Sequence, residues 1–292
     1  MNGEIHGDFQ DAIKNDRIAE SIAFFNYEKL GAMVTAADFG RDHDGTAARA
    51  ILAEHPDYSD GLAVINIELL DGQLPVAWSL PDTGDWPGMV RSLSRADRMA
   101  LASGVVNDGR HTLVWPWLAY ALAKSGDVKS AEGLVRLMPL DCTRCLEFRG
   151  RVAEVAGKDA EAAFWYARAA ADAPAEPFAA TDWGAMLLHK GDTGGAIVKF
   201  KLANARGPHF ADPLEMWGEA LMLENRSDLA LAKFEDANRY APNWGRLHLE
   251  WGKALMYAGK KDQAKKQFAV ASGLDLSNSD KSVLAEWTAR RG

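Results

Sequence analysis

The sequence predicts an all-α fold, a solenoid of antiparallel helix hairpins. Three observations carry this reading. First, residues repeat at a fixed period in the carboxy-terminal half. Trp183-Gly184, Trp217-Gly218 and Trp251-Gly252 are each 34 residues apart, and so are Phe200, Phe234 and Phe268. Second, apolar residues within each period recur at three and four positions, which is helical spacing. Third, turn residues interrupt each period in the middle, at Gly191-Asp192 and from Gly259 to Asp262.

Each column of the repeat has a physical reason. Ala196, Ala230 and Ala264 keep the register, as do Ala203, Ala237 and Ala271, and Pro174, Pro208 and Pro242. One period further back stand Gly150, Ala162, Tyr166 and Ala169. The glycine removes a side chain where the two helices of a hairpin cross, and the alanines do the same on the second helix. The aromatic column is expected to fill the gap between one hairpin and the next. The proline ends the second helix and opens the following unit. One hairpin cannot bury its apolar faces alone, so hairpins stack and touch only their neighbours. The tryptophan column, set beside the glycine, is expected to be core.

The pattern resembles the tetratricopeptide repeat family, whose 34-residue motif carries Gly, Ala, aromatic, Ala and Pro in this order. The units lie at about 143–176, 177–210, 211–244 and 245–278. Trp183, Trp217 and Trp251 stand where the family more often has Leu, and the early Trp position holds Leu146, Ala180, Leu214 and His248. That exchange preserves packing volume. A fifth, degenerate unit covers about 112–142, with Ala119, Ser125-Gly126-Asp127 and Ala131 in place. Leu276 replaces the last proline, where the array ends. The expected organisation is a helical region over 1–110, an array of about five units over 111–279, and a capping helix over 280–292.

The amino-terminal region has helical spacing at Ile18 to Val34, Thr46 to Glu54 and Gly61 to Leu70. It reads as degenerate hairpins of the same kind, or as a separate small helical domain with the loop at 80–88 as its edge. Pro75, Pro81, Pro87 and Gly84 mark a loop or irregular connection, and Asp108-Gly109-Arg110 a turn.

Composition excludes several functions. The chain has 292 residues, 48% hydrophobic and 25% charged, as ordinary globular proteins do. The longest apolar run, Leu113 to Ala123, is broken by Pro116 and falls short of the roughly 18 residues a membrane helix needs. No signal-peptide core precedes Arg17. A net charge of −8 argues against a nucleic-acid partner. The expectation is a soluble, cytoplasmic protein. Residues 1–60 carry a net charge of −7 and residues 226–292 a net charge of +4, an asymmetry that reads as solvated helix faces.

No cofactor, metal or catalytic residue is expected. Cys142-Thr-Arg-Cys145 has the spacing of a thiol redox pair or half a zinc site. No second cysteine pair completes the zinc set, and no strands surround the motif. The cysteines are read as small packed hydrophobes. Asp42-His43-Asp44-Gly45 is read as a turn. His189 and His248 are lone histidines on helices.

Resemblance to the family implies a right-handed superhelix whose concave groove is lined by the first helix of each unit. The groove residues are then Arg144, Arg151, Leu188, Glu215, Glu219, Met222, Arg246, Lys253, Met256 and Tyr257. Basic, apolar, acidic and basic bands follow one another, which suits an extended or helical peptide of alternating charge. Glu147, Thr181, Glu215 and Leu249 stand where carboxylate-gripping members carry Lys or Asn, so that clamp is not expected. The function expected is an interaction scaffold, not an enzyme, with a protein or peptide partner and self-association as one form of it. The alternatives are a sensory portion of a larger bacterial regulator, or an enzyme with its site in residues 1–110. Reversing Arg246 and Lys253 to Glu is expected to abolish binding and leave the fold intact.

Overall fold

The computed structural model describes residues 84–102, 110–274 and 276–289. The Asp42-His43-Asp44-Gly45 turn, the Asp108-Gly109 dipeptide and the amino-terminal helices expected before residue 84 lie outside the described residues. Every regular element among the described residues is helical. The chain divides between Asp159 and Ala160 into two compact units.

In the first unit, α1 (Trp86–Ala102) is followed by a π-helical turn (Arg110–Val114), α2 (Trp115–Lys124), α3 (Val128–Leu137) and α4 (Thr143–Val155). Asp85 caps α1 by accepting the Gly88 N–H at 2.8 Å. Pro87 therefore belongs to the first helical turn rather than to a loop, since its missing N–H would have no helical partner there. Pro116 opens α2 in the same way. Met89, Leu93 and Ala96 of α1 are buried with Val114, Leu118 and Ala121. Arg110 heads the π turn: its guanidinium holds Asp97, with Nε 2.7 Å from Oδ1, and Trp115 Nε1 donates to the same oxygen at 2.6 Å.

The cysteines depart from the sequence reading. Cys142 and Cys145 are joined by a disulfide. Cys142 caps α4 in extended conformation, and that brings its sulfur back over the first turn to Cys145.

The second unit contains α5 (Asp159–Asp172), α6 (Phe178–His189), α7 (Thr193–Arg206), α8 (Ala211–Leu223), α9 (Ser227–Tyr240), α10 (Gly245–Tyr257), α11 (Lys261–Ser272) and α12 (Asn278–Ala289). Helices α6 with α7, α8 with α9 and α10 with α11 pair as hairpins, and each hairpin packs on the next. One apolar core runs from Leu188 to Leu284, so α12 closes the last hairpin with Leu284, Val283 and Trp287.

The hairpin interior is a glycine–phenylalanine seam. A Cβ added to Gly218 would stand 2.8 Å from the Phe234 ring, inside van der Waals contact. Gly184 meets Phe200 and Gly252 meets Phe268 in the same way. The aromatic column thus lies on the glycine of its own hairpin, within the core that the stacked hairpins share. The missing side chain leaves a hollow one ring deep, and the phenylalanine opposite is the nearest group that fills it.

The turn inside each hairpin is equally regular. Gly157, Gly191, Asn225 and Gly259, 34 residues apart, all adopt positive φ. At each of the last three, the next residue's N–H reaches the carbonyl five positions back: Asp192 to Leu187, Arg226 to Leu221 and Lys260 to Leu255, all at 2.9 Å. This closure satisfies the last carbonyls of the first helix and requires a left-handed residue.

Candidate interaction surface

In the second unit α6 packs beside α8, and α8 beside α10, so the first helices of three hairpins form one continuous row. The row holds eight of the ten expected groove residues, and two residues outside that set join them, Glu250 on α10 and Asp280 on α12.

Arg246, at the start of α10, is the hub. Its Nε lies 3.3 Å from Oε1 of Glu215, its Nη2 contacts the Glu219 carboxylate, and its Nη1 lies 3.9 Å from Oδ1 of Asp280 on α12. Glu215 is fully buried, at 0% exposure, and neither of its carboxyl oxygens accepts a hydrogen bond. Burial first, and the Glu219 carboxylate second, hold the Glu215 carboxyl well above the usual range, against the opposing pull of Arg246. Arg246 is shifted upward, chiefly by Glu215. Glu250 is also raised, by burial and then by Glu219, while Lys253 opposes. Lys253 Nζ donates to both Glu250 oxygens, at 2.8 and 2.6 Å.

The acidic and basic bands therefore pair with one another along the row. Helices 8–10 Å apart place a charge on one first helix within reach of a charge on the next. Sequence position alone put these residues on one face, but not in contact. The pairing counts against the expectation that Arg246 and Lys253 can be reversed to Glu with the fold intact. A carboxylate in its place would face the buried Glu215 without a cation.

The apolar residues of the row are graded. Leu188 and Met256 are each 9% exposed, and Met222 is half-buried. Tyr257, at the end of α10, is 71% exposed, with its ring edge-on to Trp287 of α12 at 5.6 Å. His248 faces away from the row, its ring nitrogens 2.6 Å from Gln267 Oε1 and 2.8 Å from the Pro242 carbonyl.

Repeating hairpins of this kind recur in solved structures. A structure titled as a functional characterization of Pseudomonas aeruginosa pilF aligns with a TM-score of 0.50 at 14% identity, over 60% of this chain and 88% of that one. A chain of the APC/C Cut9–Hcn1 hetero-tetramer aligns with a TM-score of 0.55 at 14% identity, over 95% of this chain and 57% of that one. The fold is tetratricopeptide-like. No family model and no curated protein matches the sequence.

Within this tetratricopeptide-like array the tryptophan column is half-buried rather than core. Beside a glycine that lies against a phenylalanine, the next residue points to the rim of the helix pair, and one indole face stays open. Lysines cover it. Lys199 Nζ sits 3.2 Å from the Trp183 ring centre, and Lys233 Nζ 4.9 Å from that of Trp217. Burial holds the Lys199 ammonium below its ordinary pKa. Trp217 also walls a cavity of about 120 Å³ with Ile197, Leu221 and Leu229.

Arg144 and Arg151 lie on α4 of the first unit. Arg144 is half-buried in the first turn, between the bonded cysteines. Arg151 Nη2 is 3.0 Å from Glu147 Oε1, and its guanidinium stacks 4.7 Å over Phe148. Among the described residues no cluster of His, Cys, Asp and Glu is arranged to hold a metal ion, and no helix is long and apolar enough to cross a membrane.

Proposed function

We propose that this protein is an interaction scaffold that binds a protein or peptide along the row of first helices α6, α8 and α10. The observation that carries the reading is the unequal state of the row. Its charges are largely paired with one another, whereas Tyr257 remains 71% exposed at its end. Charged side chains already held by neighbours add little to partner affinity, because a partner must break one ion pair to make another. An exposed tyrosine supplies apolar area and a hydroxyl at small entropic cost, and methionine adapts to different surfaces. The partner segment is accordingly apolar with an aromatic or aliphatic anchor, rather than a strand of alternating charge. The hetero-tetrameric assembly named for the Cut9–Hcn1 structure is consistent with this use of the fold.

The test places a photo-crosslinking residue at Tyr257 or Met222 and, as a control, at exposed Lys265 on α11. A partner captured from the first two positions and not from the third supports the reading. Tyr257→Ser should then reduce its recovery at least about tenfold, as loss of an interface anchor does. Equal capture from all three positions removes the row from the account. Recovery unchanged by Tyr257→Ser removes the anchor.

A further inference from the structure

The scaffold reading leaves the cysteine pair without a role, and the geometry around it is specific. Cys142 is the residue immediately before α4, and its Sγ accepts the backbone N–H of Cys145 at 3.1 Å. The two sulfurs differ in access: Cys142 is half-buried, whereas Cys145 is fully buried among Trp115, Ala119, Met138 and Val152. Of the two residues only Cys142 is in part reached by solvent. The surrounding wall is fixed, because Asp97 holds the Trp115 indole and Arg110 holds Asp97.

Two further features favour a bond that opens and closes over one that staples the fold. The bridge links residues only three apart, at the start of one helix, so it constrains little of the unfolded chain. The backbone also offers partners to both sulfurs in the reduced state. The Cys145 N–H already points at the Cys142 sulfur, where it would stabilise a thiolate, as would the helix amino terminus. The His111 carbonyl oxygen of the π turn lies 3.6 Å from Cys145 Sγ, positioned to accept a thiol S–H. Both sulfurs of the reduced pair thus have a backbone partner already in place.

We propose that Cys142 and Cys145 form a thiol–disulfide exchange site, with the half-buried Cys142 the sulfur attacked from outside and the buried Cys145 the resolving one. The co-substrate is a thiol, either a glutathione-type small molecule or a dithiol on another protein. An external thiolate attacks Cys142 Sγ, the bond between the cysteines breaks, and Cys145 leaves as a thiolate that takes up a proton. A second external thiolate attacks the outer sulfur of the mixed disulfide. It releases the oxidised co-substrate and returns Cys142 as a thiolate. Two electrons pass from two thiols to the protein disulfide. In the reverse direction the Cys142 thiolate attacks a substrate disulfide, and Cys145 resolves the mixed intermediate.

The full chain is equilibrated in glutathione buffers of graded reduced-to-oxidised ratio, quenched in acid, alkylated and weighed, with circular dichroism followed in parallel. The site predicts that disulfide and dithiol forms interconvert while the protein stays folded. It also predicts that Cys145→Ser accumulates a glutathione adduct at Cys142 at least about tenfold faster than Cys142→Ser does at Cys145, because access limits exchange. A parallel arm with a dithiol peptide distinguishes the co-substrates: faster exchange than with glutathione identifies a protein dithiol, and slower exchange a small thiol. A bond that is reduced only in denaturant overturns the proposal, as does a native dithiol that oxidised glutathione cannot close. Equal adduct formation by the two serine variants also overturns it. The wild-type equilibration decides the matter even where a variant fails to fold.

Discussion

Each first helix from α6 to α10 works through two faces, and the two obey different rules. Towards its own second helix it presents a glycine, and the same contact recurs in hairpin after hairpin: Gly184 on Phe200, Gly218 on Phe234, Gly252 on Phe268. Towards the neighbouring first helix the residues differ from copy to copy, charged between α8 and α10 and apolar at Leu188 of α6, and there the contacts do not repeat. Glu215 and Arg246 meet once, whereas the residues 34 positions from them include Thr181, Leu249 and Asp212. A contact inside the repeating unit must be made by every copy, so its residues are fixed in every copy. A contact between first helices depends on which two copies meet, so each junction is free to differ.

The comparison can be broken or sharpened by substitution, beginning with the largest effect. Gly218→Leu should destabilise the protein by about 5 kcal/mol or more, because Phe234 occupies the space a side chain needs. An unchanged denaturant midpoint would dissolve the seam. Phe234→Ala should cost about 3–5 kcal/mol as a truncation within the core, and a near-neutral result in the same assay would move the column to the surface.

The charged face should respond less, and with a pH signature. Arg246→Met should cost about 2 kcal/mol at neutral pH, less than a fully buried pair, because its side chain is 36% exposed. The loss should shrink as pH falls through the raised pKa of Glu215, where its carboxyl takes up a proton and no longer needs a cation. Glu215→Gln should change stability by about 1 kcal/mol, mainly in its dependence on pH. The folded Glu215 carboxyl is raised above its ordinary 4.5, so its contribution is full below that value and lost as pH rises through the raised one. Unfolding measured from pH 5 to 8 should therefore fall more for the wild type than for the glutamine variant, and parallel curves would show that Glu215 is already ionised when folded.

The smallest effect belongs to the turn column. Asn225 is the one non-glycine residue with positive φ among the described residues. Asn225→Gly should stabilise by about 0.5 kcal/mol in thermal unfolding, since glycine adopts that conformation without a steric penalty. A clear loss would mean the asparagine side chain contributes more than its backbone costs.

Much of this was legible in the amino-acid sequence. The period, the hairpins, the glycine and alanine columns and the turn residues follow from spacing, because a helix places residues three and four apart on one face whatever surrounds it. The candidate surface was legible only as a set of positions. Glu250 stands one residue beyond the positions assigned to the groove, and Asp280 lies in the closing helix, so neither was selected. The tryptophans read as core because their spacing is strict, yet strict spacing records a recurring environment and not its depth.

The sequence by itself determined the class of fold and the register of the repeat, because both depend on local geometry and on contacts made identically in every copy. The tertiary structure alone decided three matters. It paired Glu215 with Arg246 across two hairpins, left Trp183 and Trp217 under lysines at the rim, and joined a half-buried Cys142 to a fully buried Cys145. Each depends on how far one side chain lies from another that the local pattern does not constrain, and only the packed chain fixes that distance.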